Sequence, residues 1–282
     1  MKKIPVRNIN VPPAEAATGF RVQSLNAVLR GKDMTQELHR HEYFYLLFIE
    51  KGKGNHEIDF VSYPIANGTV FLMRPGQVHQ LTLHRSSTGY MLQFTGDFFH
   101  ALDRLTHQSL SRASAVNHYK LTKTGLGKIS DVFSVINDES NNQHEGYIDV
   151  IKLQLSILFI ELTRLKTAAH KTSNPYAVDR LREFTQLLET NAVSNKQPSF
   201  YADRMNLSAY QLNTITKETL GKTSSEVIQE YLILESKRYL LATANQVNQI
   251  GYELGFDDPS YFIRFFKKHT GYSPETFRER FA

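Results

Sequence analysis

Three histidines carry the first chemistry in this chain. His39 and His41 stand two residues apart and His79 follows further on; imidazole titrates near neutral pH and is the commonest transition-metal ligand. Alternation with a period of two puts His39, His41, Tyr43 and Tyr45 on one face of a strand. Together with His79 these are polar tips on aromatic bodies, a lining that suits a partly polar organic ligand. Three imidazoles would also suffice for zinc with a water in the fourth place, and a third use is hydrogen-bonded structure inside a barrel. His39, His41, Tyr43, Tyr45 and His79 are therefore candidate ligand-lining residues, with no metal, cofactor or catalytic residue assigned. The chain has no cysteine, which excludes disulfides, thiolate ligands and cysteine nucleophiles.

A second set of residues suits nucleic acid. Arg264 can donate two bonds to guanine O6 and N7, and Asn213 can pair with adenine N6 and N7. Thr214 and the ring of Tyr210 can pack on a thymine methyl, while Lys217, Lys267 and Lys268 suit phosphates. Helical spacing sets Tyr210, Asn213, Thr214 and Lys217 apart from the core-facing Leu212 and Ile215. The same spacing turns Ser260, Tyr261, Arg264, Lys267 and Lys268 away from Phe262, Phe265 and Phe266. Bulk charge points to the other half: residues 1–174 hold 20 Lys+Arg against 15 Asp+Glu, whereas residues 175–282 hold 13 against 13. DNA binding by the C-terminal half would therefore rest on local placement of cations.

The elements that must position this second set are written twice. Ala202 to Leu207, then Tyr210 to Ile215 and Gly221, recur as Gly251 to Phe256, then Ser260 to Phe265 and Gly271. Ala202 and Gly251 are small where two helices would cross. Asn206 and Gly255 tolerate the left-handed conformation that ends a helix. Leu207 and Phe256 plug the corner, and Ser208, or Asp257 and Asp258, can cap the next helix. Gly221 and Gly271 stop it. Helix, tight turn, capped helix and stop, in register twice, is the helix-turn-helix plan.

The run Ile250-Gly251-Tyr252-Glu253-Leu254-Gly255-Phe256, with Ser260-Tyr261-Phe262, Phe265-Phe266-Lys267-Lys268, Gly271-Tyr272-Ser273-Pro274 and Phe277-Arg278, resembles the signature of the AraC/XylS family of transcription regulators. The resemblance spans roughly residues 177–282. It implies seven helices in two helix-turn-helix units, joined by a long helix over about Ser225–Leu241. It also implies that the outward positions of the two recognition helices enter adjacent major grooves. The first unit departs from the pattern in Ile215-Thr216-Lys217-Glu218-Thr219, with isoleucine and threonine where large apolar residues often stand.

Residues 20–95 predict strands over Phe20–Arg30, Tyr43–Glu50, Asn55–Phe60, Thr69–Arg74, His79–His84 and Tyr90–Thr95, separated by turns such as Asn67-Gly68 and Pro75-Gly76. That pattern suggests a small barrel or jelly roll. His39-Arg40-His41, Gly68, Pro75-Gly76 and His79 resemble the two motifs of the cupin family, in which such histidines and a glutamate hold a metal. Here Tyr45 and Leu46 stand where the glutamate is expected, and Glu42 has the opposite parity.

After Gly96 the pattern turns helical. Ile148, Ile151, Leu155, Leu158, Leu162 and Leu165 are spaced as an a/d seam and are assigned to dimerisation. Thr167–Pro175 predicts a linker, and by family analogy Lys2–Gly19 would be an arm over the pocket.

Two domains follow: 1–170, a cupin-like β-barrel or jelly roll followed by helices, for effector binding and dimerisation; and 171–282, all-α, with two helix-turn-helix units. The expected function is a sequence-specific transcription regulator responding to a small-molecule effector, and no enzyme. Its expected partners are double-stranded promoter DNA, the effector, a second copy of the chain and, for an activator, RNA polymerase. The alternatives are a cupin metalloenzyme with a DNA-binding tail and a constitutive regulator whose first domain only dimerises. The longest apolar run, Tyr43 to Ile49, is far short of the ~20 residues a membrane span needs, and Met1 to Pro5 leads into no apolar stretch. A cytoplasmic location without membrane or secretory signal is expected.

Overall fold

The computed structural model describes residues 6–7, 19–100, 104–169 and 174–281. The chain divides into two compact units, residues 5–170 and residues 171–282. Among the described residues the first is a sandwich of two five-stranded sheets with helices on one outer face, and the second is helical. No helix among the described residues is long and apolar enough to cross a membrane.

In chain order the strands are β1 Val6–Arg7, β2 Phe20–Ser24, β3 Met34–His41, β4 Phe44–Lys51, β5 Gly54–Ile58, β6 Val61–Ile65, β7 Thr69–Met73, β8 Val78–Leu83, β9 Thr88–Phe94 and β10 His118–Lys120. One sheet runs β1-β3-β8-β5-β6 and the other β10-β7-β4-β9-β2. Pairing is antiparallel except for β1, which lies parallel to β3 with Val6 opposite Arg40 and Arg7 opposite His41. Apart from that pair and Gly19, the arm expected over Lys2–Gly19 lies outside the described residues.

The structure revises several strand expectations. Phe20–Arg30 is half strand, because the Ser24 side chain accepts the Ala27 N–H and starts a one-turn helix, α1 Leu25–Leu29. The strand expected through Phe60 ends at Ile58. Asp59 and Phe60 both have positive φ (47° and 69°) and form the two-residue turn between the paired Ile58 and Val61. Val61–Ile65, a strand despite Pro64, went unforeseen, as did β10, which interrupts the helical stretch to pair with β7.

β4 is buried on both faces, which explains its unbroken apolar run. Tyr45, Leu47 and Ile49 join the core between the sheets, with Phe71, Leu81 and Leu83. Leu46 and Phe48 join a second core beneath the helices. Those helices are α2 Gly96–His100, α3 Arg104–Ser114, α4 Lys123–Asn142 and α5 Tyr147–Ala169.

The expected dimer seam on α5 faces inward. Ile151, Leu155, Leu158 and Leu162 are fully buried in the core formed with the second sheet, and Ile148 and Leu165 pack against its edge. A 3-4 spacing specifies an apolar stripe without specifying its partner, and here the partners are α3, α4 and the second sheet of the same unit. Exposed on α5 instead are Leu153, Ile157 and Ile160, at 62%, 45% and 41%. The helix also runs through the start of the expected linker. Residues 170–173 of that linker lie outside the described residues, and Asn174 already caps the next helix, with Pro175 in its first turn.

Among its described residues the second unit holds seven helices: α6 Pro175–Asn191, α7 Pro198–Arg204, α8 Ala209–Leu220, α9 Ser224–Ala242, α10 Val247–Glu253, α11 Pro259–Thr270 and α12 Pro274–Phe281.

Candidate functional site

The repeated motif builds two matching corners. After α7 the Leu207 N–H donates to the Ala202 carbonyl (2.8 Å) and the Asn206 N–H to Asp203 (3.0 Å). After α10 the Phe256 N–H donates to Gly251 (2.9 Å) and the Gly255 N–H to Tyr252 (2.9 Å). Both are Schellman closures, with Asn206 and Gly255 left-handed at φ 53° and 70°. Ser208 then opens α8 through a capping box with Gln211, and the Asp258 carboxylate accepts the Ser260 N–H to open α11. Gly251 is small because a Cβ there would meet the Phe262 ring at 3.2 Å. Gly221 and Gly271, both left-handed, close α8 and α11.

These corners fix which side chains of α8 and α11 face outward. Leu212, Ile215, Phe262, Phe265 and Phe266 are buried. Tyr210 is 80% exposed, Tyr261 is 55% exposed, and Thr214, Lys217, Ser260, Lys267 and Lys268 lie open beside them. The Arg264 guanidinium is exposed too, with Asp258 at 3.8 Å, an ion pair too loose to restrain it. Asn213 is placed differently from its expected role. It is half-buried, and its Oδ1 accepts the Ser224 N–H at 3.1 Å, capping the start of α9. A bidentate adenine contact would have to share that oxygen with the Ser224 N–H.

In the first unit His39, His41 and His79 converge, but not on one strand face. The chain crosses between the sheets at Glu42 and Tyr43, so His39 and His41 belong to β3, His79 to β8 opposite His39, and Tyr45 to β4 in the other sheet. All five side chains are buried. His79 Nε2 stands 2.7 Å from His41 Nε2, and the rings of His39 and His79 lie 4.1 Å apart. Tyr43 covers His41 at 4.4 Å, and Tyr45 stacks on it at 5.4 Å.

Sequence reasoning missed His56. It lies in β5, fully buried, with Nε2 2.8 Å from His79 Nδ1 and its ring 4.6 Å from Phe71. Desolvation, with the neighbouring His39, His41 and His118, pushes its pKa down to about 3, so its ring is neutral at physiological pH. Its one signal in the sequence was parity with the inward-facing Ile58.

Comparison with known proteins decides the family. Residues 29–142 match the AraC-like ligand binding domain, and residues 201–280 match a helix-turn-helix domain. The chain belongs to the AraC family. It is a DNA-binding transcription regulator with an N-terminal ligand-binding domain. Among curated AraC-family relatives, the HTH-type transcriptional activator RhaR of Enterobacter sp. (strain 638) is 23% identical over 254 residues, covering 86% of each chain. The activator RhaS of Citrobacter koseri is 21% identical over 248 residues, covering 86% of this chain and 87% of its own. Among solved structures, ToxT from Vibrio cholerae O395 overlays with a TM-score of 0.42 at 16% identity, covering 93% of this chain and 97% of its own.

Proposed function

We propose that this AraC-family chain works as a homodimeric, ligand-responsive activator in the cytoplasm, acting by binding and not by catalysis. Each chain would read DNA with the outward faces of α8 and α11. The observation that carries the reading is the pair of matching corners, each of which leaves one polar, exposed face on the helix that follows it. In helix-turn-helix proteins that helix enters the major groove. Tyr210, Thr214 and Lys217 on α8 suit an A/T-rich half-site, with Asn213 retaining its Nδ2 donors for a base acceptor. Arg264 on α11 suits a guanine, and Lys267 and Lys268 suit phosphates.

A second copy of the chain is the partner that fits the exposed stripe on α5, since an isologous pair of the same apolar surface is self-complementary. The likeness to RhaR and RhaS supports activation, and with it contact with RNA polymerase. The first unit, matched as a ligand-binding domain, would supply the signal from the side chains between its sheets.

Selection of bound sequences from a random DNA library tests the reading. A consensus with an A/T-rich half and a half with an essential guanine, about one helical turn apart, is expected. Arg264→Ala should cost about 1–3 kcal/mol at that guanine alone, whereas Lys267→Ala should weaken all sequences alike and flatten the salt dependence. Essential guanines that respond to substitutions in α8 and ignore Arg264→Ala would overturn the assignment.

A further inference from the structure

One stretch of chain grips both helix-turn-helix corners. Arg180, on α6, donates through Nη2 to the carbonyl of Met205, which caps the end of α7, and through Nη1 to Glu183 at 2.7 Å. Lys196, in the loop between α6 and α7, donates through Nζ to the carbonyl of Gly255 in the second corner, and to Val193 in its own loop at 3.0 Å. Asn206 corresponds to Gly255 in the repeat, so Met205 and Gly255 stand at neighbouring positions of it.

The loop that carries Lys196 is firm. Tyr201, fully buried on α7, donates from its hydroxyl to the Asn195 carbonyl at 2.6 Å. The Ser194 and Asn195 N–H groups both donate back to Asn191 at the end of α6, at 3.0 and 2.8 Å. On the far side, the Lys196 ammonium lies 4.9 Å from the centre of the Phe256 ring, which packs on Tyr261, Phe262 and Phe265 of α11. Gly255 approaches the Val193 carbonyl so closely that a Cβ would overlap its oxygen. Burial lowers the Lys196 pKa and Asp257 acts against that, in keeping with an ammonium that has exchanged water for carbonyls.

We propose, on the reading of α8 and α11 as the two DNA readers, that Lys196 is a positioning residue for DNA recognition. It fixes the separation and rotation of α11 relative to α8, and with them the spacing between half-sites that one chain accepts.

α9 alone does not fix that relation. It leads from α8 to α10 as one helix, and two bodies joined by a single helix can still bend and turn about its ends. An attachment elsewhere removes that freedom. The Lys196 contact is such an attachment, because α6 and α7 pack on α8, and the loop between them is tied to the corner from which α11 springs. The ammonium is also well occupied there, with two carbonyls as acceptors and a ring face beneath it, so its place is explained without a phosphate. The duplex makes the relation matter. One base pair more or less between half-sites turns the second by roughly 35° and shifts it by about 3.4 Å. A rigid pair of helices rejects that displacement, whereas a loose pair adapts to it and loses the affinity that preorganisation supplies.

The test measures binding of the full chain to its selected DNA site with the two halves moved apart or together by one base pair. The unsubstituted chain should lose about 10-fold in affinity at either altered spacing, a loss similar to that of one mismatched base pair. Lys196→Met keeps the apolar stem and removes the donors. It should bind the best spacing about 3–10-fold more weakly, and prefer it over the others by no more than about 3-fold. Lys196→Arg keeps a cation with donors and should restore most of the preference. Because the chain has no cysteine, Glu218→Cys on α8 and Lys268→Cys on α11, both exposed, take two spin labels. The distance distribution between them should be narrow, and should broaden when Lys196→Met is added. Lys196→Gln serves the same comparisons where circular dichroism shows Lys196→Met unfolded. An unchanged spacing preference in a folded neutral variant overturns the proposal, and so does a broad distribution in the labelled parent chain. A uniform loss at all spacings with a shallower salt dependence overturns it too, being the mark of a phosphate contact. A parent chain that selects no two-part site refutes the reading of α8 and α11, whereas a two-part site whose spacing ignores Lys196 refutes the positioning role alone.

Discussion

Asn213 and Ser224 are joined across the turn that ends the first recognition helix: the Asn213 Oδ1 accepts the backbone N–H of Ser224 at 3.1 Å. Ser224 opens α9, where Thr223 already satisfies the Glu226 N–H through a capping box, and Asn213 satisfies a donor that the box leaves over. Asn213→Ala should therefore cost about 0.5–2 kcal/mol of stability, read from urea unfolding of the full chain. Asn213→Asp keeps the acceptor and should unfold near the original midpoint, yet weaken DNA binding by setting a negative charge beside phosphates. An unchanged midpoint for Asn213→Ala would return Asn213 to a purely base-contacting role.

Gly255 and Gly271 share a left-handed backbone, at φ 70° and 80°, but differ in what surrounds them. A Cβ on Gly271 meets nothing within 4 Å, so Gly271→Ala should cost only the conformational penalty, about 1–2 kcal/mol. A Cβ on Gly255 would overlap the Val193 carbonyl oxygen. Lys196 holds that contact shut, donating to the carbonyls of both Val193 and Gly255 while lying over the Phe256 ring. Gly255→Ala should thus lower the unfolding midpoint well beyond Gly271→Ala and weaken DNA binding with it. Equal shifts for the two variants would show that the close approach is relieved at little cost.

What the sequence made legible was local. Asn206, Gly255, Ser208, Asp258, Gly221 and Gly271 act on backbone groups a few residues away, so their types and spacing disclose two helix-turn-helix corners before any coordinates. Contacts between distant segments were not legible in the same way. Leu158 reads identically whether it meets a second copy of the chain or its own domain, and only the fold shows it inside the core that α3, α4 and the second sheet share. Asn213 reads as a surface residue because its partner lies beyond the turn in α9. His39 and Tyr45 share a parity along the chain, yet the crossing at Glu42 and Tyr43 sends them to opposite sheets. His56 joined the histidine cluster through strand pairing across β5 and β8, which no spacing encodes.

The two faces of α5 call for opposite outcomes from similar substitutions. Leu158 is fully buried in the core shared by the helices and the second sheet, so Leu158→Ala should cost about 2–5 kcal/mol, and Leu158→Arg should unfold the first unit instead of producing a clean monomer. Leu153, Ile157 and Ile160 recur at i, i+4 and i+7 on the outer face, a contiguous apolar strip that water covers unless a partner does. Ile157→Arg should therefore leave the circular dichroism and core packing intact while shifting the chain to a monomer in sedimentation velocity. The proposed dimer would bind two half-sites at once, so the same variant should lose affinity for a paired site far more than for a single one. Its unfolding midpoint should also cease to depend on protein concentration, because subunit association no longer contributes. An Ile157→Arg chain that still sediments as a dimer would place the interface elsewhere in the molecule.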